Sequence, residues 1–309
     1  MINVSLEKNP ELYINGFQNC LSFLRDLKEE NYSYPAPKVN FHVYSDILNE
    51  KQLMSVKSFL ATQNLDHAVL NLWSDVDLTK NRLIVPYLPY VVWRKYNPYL
   101  ETKDTPLEGN DKYIYAKDSK HWLQSGILRF LAIYKYGGIW FDMDMILLRD
   151  FRPIMDQEFA YMWGECTDFG RKKSLNSYGP CAALVGGEKQ SYHTKTCMEE
   201  IARTHLIENT ACLDHELLAE VYQLNRFTVF PSCFFEAEWQ MGDMGKQVNL
   251  EIVDGWFRKN KYSNNLFLET FSWHWHNSGQ GKREVEEGSK FDLLQKLTDE
   301  KLKDKGLLH

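Results

Sequence analysis

Ser125-Gly126-Ile127-Leu128-Arg129-Phe130 runs on through Tyr134-Lys135-Tyr136-Gly137-Gly138-Ile139-Trp140-Phe141 to Asp142-Met143-Asp144, and this stretch decides the fold. It reads as an amphipathic helix, a glycine turn and a buried strand that ends in two carboxylates. The helix spans Lys117 to Tyr136, with Asp118 or Ser119 as N-cap and Gly137 as its stop. Gly138 to Phe141 is apolar and strand-like, and Met145 to Leu148 continues that character. Alternate strand residues point to one face, so Asp142 and Asp144 are expected to project together at the lip of a sheet.

Working outward, Glu11 to Glu29 reads as a helix, broken by Tyr34-Pro35-Ala36-Pro37. Val39 to Tyr44 alternates like a strand, Asn49 to Thr62 is helical, and Ala68 to Trp73 is a second strand. Strand, helix, strand with polar residues at the strand ends opens an α/β sheet, whose ligands sit beyond the carboxyl ends of the strands. Tyr44 and Trp73 therefore stand near a nucleotide pocket. Thr79 to Tyr96 looks helical and is bent by Pro86 and Pro89. Glu101 to Asn110 is a surface loop. Strands follow at Phe159 to Gly164, Cys181 to Val185, Phe227 to Phe230 and Leu266 to Trp275, with loops at Glu165 to Gly179 and Gly242 to Gln247. Helices follow at Thr194 to His205, Asp214 to Leu224 and Lys290 to Lys305. With no repeat or long linker, the expectation is one domain over 1–309, divided into a nucleotide-binding half (38–150) and an acceptor-side half (151–309).

A chain of 309 residues can bury a large core without covalent staples. The net charge of −6 argues against a general nucleic-acid or anionic-membrane surface. None of the six cysteines forms a C-x-x-C pair, which argues against a zinc knuckle. They read as scattered buried thiols of a reducing compartment. Met1 to Phe17 lacks a signal peptide's apolar core, and no apolar run is long enough to span a bilayer. A soluble cytoplasmic protein is expected.

A D-x-D triplet is weak evidence alone, and Asp75-Val76-Asp77 is a second copy to which no metal is assigned. Asp142-Met143-Asp144 differs because apolar segments flank it. Two carboxylates buried there unpaired would be costly, and a divalent cation removes the cost. Hard oxygen ligands suit Mn²⁺ or Mg²⁺. The plain alternative is an acidic turn paired with Arg149 or Arg129.

The segment resembles the DXD-containing sugar-binding region of the glycosyltransferases that include α-1,4-galactosyltransferases, initiating mannosyltransferases and clostridial glucosylating toxins. The usual form is Ser-Asp-x-x-Arg-Tyr, a tyrosine-rich helix, Gly-Gly-Ile-Tyr and Asp-x-Asp. Ser125, Arg129, Phe130, Tyr134, Tyr136, Gly137, Gly138, Ile139, Trp140, Asp142 and Asp144 follow it, and Leu72-Trp73-Ser74-Asp75 resembles the family's second strand. The resemblance implies a GT-A-type α/β fold, an open nucleotide-sugar-binding sheet flanked by helices with additional helices. It further implies a nucleotide-sugar donor, Mn²⁺ dependence and retention of anomeric configuration. Gly126 stands where the family has an aspartate that contacts the donor sugar. It either makes room for a different sugar or marks lost activity.

Ser272-Trp273-His274-Trp275-His276-Asn277-Ser278-Gly279-Gln280-Gly281-Lys282 is the second constellation. His276, Gly279 and Lys282 form H-x-x-G-x-x-K, which resembles the metal-and-diphosphate motif of the related glycogenin and lipopolysaccharide galactosyltransferases. That likeness implies His276 as metal ligand, the Gly279 backbone near a diphosphate and Lys282 as its counter-charge. A histidine followed by Asn and Ser would favour His274 with Asn277, and on a strand 274 and 276 share a face. His276 is the expected ligand. Asp214-His215-Glu216 resembles that family's segment near the anomeric centre, although an acidic helix N-terminus favoured by the dipole explains it better. Glu165 and Asp168 are further acceptor-side candidates.

The expected function is a metal-dependent hexosyltransferase acting from a UDP- or GDP-sugar on a glycan or other hydroxyl acceptor. Asp142, Asp144, Arg129 and Asp214 are its expected catalytic residues. Asp142, Asp144 and His276 are expected to hold the metal. Tyr44, Trp73, Ser125, Arg129, Asp142, Gly279 and Lys282 are expected to bind the donor. The rivals are a glycoside hydrolase, for which the two carboxylates lie too close in sequence, and a silent sugar- or nucleotide-binding protein on the same scaffold.

Overall fold

Val39–Tyr44 (β1) and Ala68–Ser74 (β2) pair in parallel from Val39 opposite Ala68 to Tyr44 opposite Trp73. Glu50–Thr62 (α2) crosses between them, following Phe17–Asp26 (α1) in the chain. A capping box starts α2: Asn49 accepts from the Gln52 N–H, and Gln52 accepts in return from the Asn49 N–H. Val91–Lys95 (β3) extends the sheet on the far side of β2, and Gly138–Phe141 (β4) pairs in parallel with β1. Phe159–Met162 (β6), Pro180–Gly187 (β7) and Thr228–Phe230 (β8) complete seven strands in the order β3-β2-β1-β4-β7-β6-β8. The β4–β7 and β7–β6 pairs are antiparallel. Met145–Leu147 (β5) leaves this sheet and pairs antiparallel with Ser272–His274 (β9). The computed structural model describes residues 2–4, 8–13, 17–111, 122–162, 180–203, 221, 227–240 and 249–308.

Strand alternation builds a core on each face of the sheet. Phe41, Val43, Leu70, Leu72, Ile139 and Phe141 join Phe59 and Leu60 of α2 in one core. Tyr44, Trp73 and Trp140 face the other way, against Ile127, Leu128 and Leu131 of Trp122–Tyr136 (α3) and Met198 of Tyr192–Arg203 (α4). A third cluster joins Ile146 and Trp273 to Trp256 of Leu250–Phe257 (α5) and Phe291 of Lys290–Asp304 (α6). This is the mixed α/β open sheet that the sequence led us to expect.

The two glycines at the end of α3 have separate duties. Gly137 ends the helix with φ of 67°, its N–H donating to Ile133 O at 2.7 Å. Gly138, at φ of 105°, brings β4 against β1, where a Cβ would fall 1.9 Å from Asn40 O.

Several expectations are corrected. Thr79 to Tyr96 is not a helix: Leu78–Lys80 and Val85–Tyr90 are short 3₁₀ turns, and β3 follows. Pro86 and Pro89 remove amide donors, and the β-branched pair Val91-Val92 suits an edge strand. Only Ser272–His274 of the stretch 266–275 is strand. The loop at 101–110 is not all surface, since Leu107 is fully buried. Cys20 and Cys233 form a disulfide between α1 and the turn Ser232–Phe234, whereas Cys197 is a buried free thiol. The inference from scattered thiols to a reducing compartment loses its premise. No helix among the described residues is long and apolar enough to cross a membrane. Residues 163–179, 204–220 and 241–248, which include Glu165, Asp168 and Asp214, lie outside the described residues.

A polar chain threads the second core. The Trp73 indole N–H donates to His42 Nδ1 (3.1 Å), and His42 Nε2–H donates to Gly137 O (3.0 Å). These bonds require a neutral ring, and burial pushes its pKa down from 6.5 to about 4. Between those values the unfolded chain binds more protons than the folded one. Stability present above pH 6.5 is therefore lost as the pH falls towards 4, by about 3 kcal/mol in full. Urea midpoints of wild type and His42→Phe at neutral pH and at the acid end will show this, the variant lacking the His42 share of the slope. Gly138→Ala forces a Cβ into the β1 backbone, and a loss of at least about 3 kcal/mol is expected in the same assay.

Candidate functional site

The carboxylates sit on a turn, not within one continuous strand. β4 ends at Phe141, Met145 N–H donates back to Asp142 O at 3.0 Å, and the chain leaves the large sheet as β5. Turn geometry, rather than strand alternation, therefore presents Asp142 and Asp144. The β5–β9 ladder then sets Met145 opposite His274, and Trp275 N–H donates to Asp144 O at 3.0 Å. This register brings His274 Nε2 to 3.1 Å from Asp144 Oδ1. Asp144 Oδ2 accepts from the Asn277 N–H at 2.8 Å.

Asp142 has different partners. Arg129 Nη2 reaches both its oxygens, at 2.8 and 3.1 Å, and the Trp140 indole N–H donates to Oδ1 at 2.8 Å. The guanidinium also lies over the Trp140 ring. Of the two arginines considered as partners, Arg129 is the one used. Arg149 is tied to Glu29 and to the carbonyls of Leu24, Leu27 and Glu269.

Glu236, on the segment after β8, completes the cluster and carried no signal in the sequence reading. It is buried, and its Oε1 accepts from His274 Nδ1 and from the Tyr161 hydroxyl, both at 2.5 Å. Its Oε2 lies 3.5 Å from His276 Nε2. His276 adopts a left-handed backbone, φ 52°, which places its ring in a stack between His274 at 3.9 Å and Trp256 at 5.9 Å. His274 is the imidazole in contact with Asp144, while His276, the ligand expected from the sequence, faces Glu236.

The electrostatics follow from this layout. Burial alone would raise Asp144, but the adjacent His274 overrides it and the carboxyl falls to about 2. Burial also opposes charge on His274, yet Asp144 and Glu236 outweigh it and hold its pKa well above the usual 6.5. Burial raises Asp142 despite Arg129. Three carboxylates (Asp142, Asp144 and Glu236) thus share a confined volume with two imidazoles. Ligand atoms of Glu236, His274 and His276 lie within 4.8 Å of one another. Hard oxygens with imidazole nitrogens suit Mn²⁺ or Mg²⁺, and the excess of buried negative charge fits a divalent cation.

Tyr44 is buried at the end of β1 and donates to Asp75 Oδ1 at 3.2 Å. Trp73 is only 1% exposed and packs on Tyr136, so its ring offers no free face for stacking. Ser125 lies one turn before Arg129 on α3 and is partly exposed. A Cβ on Gly126 would meet no atom within 4 Å, so packing among the described residues does not demand glycine there. Gly279 lies in the short helix Asn277–Gln280, and Lys282 is exposed just beyond it. Lys51, at the start of α2, donates to the carbonyls of Gln280, Gly281 and Arg283 and so fixes this loop.

Residues 50–160 match the family described as the glycosyltransferase sugar-binding region containing DXD motif. No curated protein matches the sequence. Among solved structures, the PaToxG glycosyltransferase aligns at a TM-score of 0.46 and 13% identity, over 68% of this chain and 76% of that one. GlyE of Streptococcus pneumoniae TIGR4 aligns at 0.49 and 12%, over 87% and 64%. An active-site mutant of LgtC aligns at 0.43 and 10%, over 84% and 95%. The matched segment carries α3, β4 and the Asp142–Asp144 turn, and over it the chain is similar to the glycosyltransferase sugar-binding region containing DXD motif.

Proposed function

We propose that the protein moves a hexose from a UDP- or GDP-sugar to a hydroxyl of a glycan or other acceptor, with retention and with Mn²⁺ or Mg²⁺ as cofactor. The observation that carries the reading is the contact of His274 Nε2 with Asp144 Oδ1 at 3.1 Å, beside two further carboxylates. Asp144 and His274 would hold the ion, with His276 stacked beside them. A cation bound there supplies Lewis-acid neutralisation of the charge that develops on a departing diphosphate.

The chain's own residues supply the rest. Arg129 orients Asp142 through two hydrogen bonds and adds positive charge to the site. Lys282, exposed on the loop that Lys51 holds, offers a counter-charge for phosphate. Tyr44 and Asp75 close the end of the β1–β2 pair, beyond which the nucleotide base is expected. A Cβ on Gly126 would meet nothing within 4 Å among the described residues, and the partly exposed Ser125 lies beside it, which supports room for the donor sugar there. Proton transfer from the acceptor hydroxyl to the departing phosphate fits retention, as the family resemblance implies.

Two outcomes are expected in solution. Asp144→Asn lowers Mn²⁺-dependent release of UDP or GDP from a nucleotide sugar by at least about 100-fold, while circular dichroism shows an intact fold. Unchanged turnover overturns the assignment. UDP or GDP raises the melting temperature of the wild type only when Mn²⁺ is present. Stabilisation without turnover of any nucleotide sugar favours the silent-binding alternative.

A further inference from the structure

Glu236 is an acid where the fold would tolerate one only with good partners. Its side chain is 1% exposed, and its surroundings are Phe235, Tyr161 and the two histidine rings. A buried carboxylate without compensation costs several kcal/mol. The backbone around it is tightly held. Glu236 N–H donates to Ser232 O (2.7 Å), Phe271 N–H donates to Phe234 O (2.7 Å) and the Ser272 hydroxyl donates to Phe235 O (3.3 Å). Two residues on, Glu238 forms a fully buried ion pair with Lys290 at the start of α6.

The two oxygens of Glu236 face both rings of the cluster. Oε1 accepts from His274 Nδ1 and Tyr161, and Oε2 looks towards His276 Nε2. Imidazole carries two nitrogens, and a partner at one decides what the other presents. With Nδ1–H given to Glu236, the Nε2 lone pair of a neutral His274 is directed to the side of Asp144. A carboxylate behind a ligating imidazole fixes its tautomer and raises its basicity.

We infer that Glu236 is a positioning residue, which holds the ring and tautomer of His274 so that Nε2 and Asp144 take a divalent cation together. The inference rests on the metal site proposed above. A merely structural role, in which Glu236 only satisfies Tyr161 and His274, needs an acceptor but no charge. Glu236→Gln separates the two, because the amide oxygen can still accept both bonds.

The test uses the full chain and Mn²⁺ alone, with free Mn²⁺ followed by electron paramagnetic resonance. Glu236→Gln is expected to bind Mn²⁺ about 10- to 100-fold more weakly than wild type, with the circular dichroism spectrum of the metal-free protein unchanged. Equal Mn²⁺ affinity in wild type and variant overturns the inference and leaves the metal site standing. A wild type that takes up no Mn²⁺ overturns both. A second measurement does not depend on the variant. In ¹⁵N-histidine spectra of the Mg²⁺-loaded wild type, His274 is expected as the Nδ1–H tautomer, and an Nε2–H tautomer overturns the inference.

Discussion

Two aspartates separated by a single residue cannot share a partly buried turn at low cost unless positive charge meets each of them, and much of the fold serves that requirement. Asp142 is met from the α3 side by Arg129, and Asp144 from the β9 side by His274. The Gly137-Gly138 corner ends α3 and seats β4 against β1, and the first contact then spans from α3 to the end of β4. The β5–β9 ladder secures the second. Each partner is itself supported: Arg129 by the Trp140 ring, His274 by Glu236.

The two acids therefore differ in kind although they are neighbours in sequence. Asp142 is committed to a guanidinium and an indole N–H. Asp144 is held to about 2 by an imidazole that can lose its proton. A permanent cation fixes the geometry on one side, whereas a titratable ring on the other side can yield to a metal. This asymmetry is how one short turn combines rigidity with an exchangeable charge.

Much of this was legible in the sequence because it was local. The α3 periodicity, the Gly137-Gly138 stop and the apolar run of β4 are short-range signals, and each reads correctly. β3 was missed because Pro86 and Pro89 broke a pattern that then resembled a bent helix. Trp73 sits at a strand end, where an aromatic reads as a stacking platform, but His42 one strand away takes its N–H and buries it. Which of the two histidines touches Asp144 depends on the register against β5, which no local pattern encodes. Glu236 carried no local sign, and its place becomes visible only where Tyr161 and His274 converge on it.

Asp144 and Asn277, which share a hydrogen bond, stand 133 residues apart in the chain. Contacts of such high sequence separation form late, because loop closure must precede them. During synthesis the acidic turn emerges from the ribosome long before its histidine. A nascent chain thus carries two aspartates with no imidazole to complete a cation cage. If the site takes a cation as proposed, capture begins only when the later third of the polypeptide has docked, and metallation then reports on completed folding rather than guiding it.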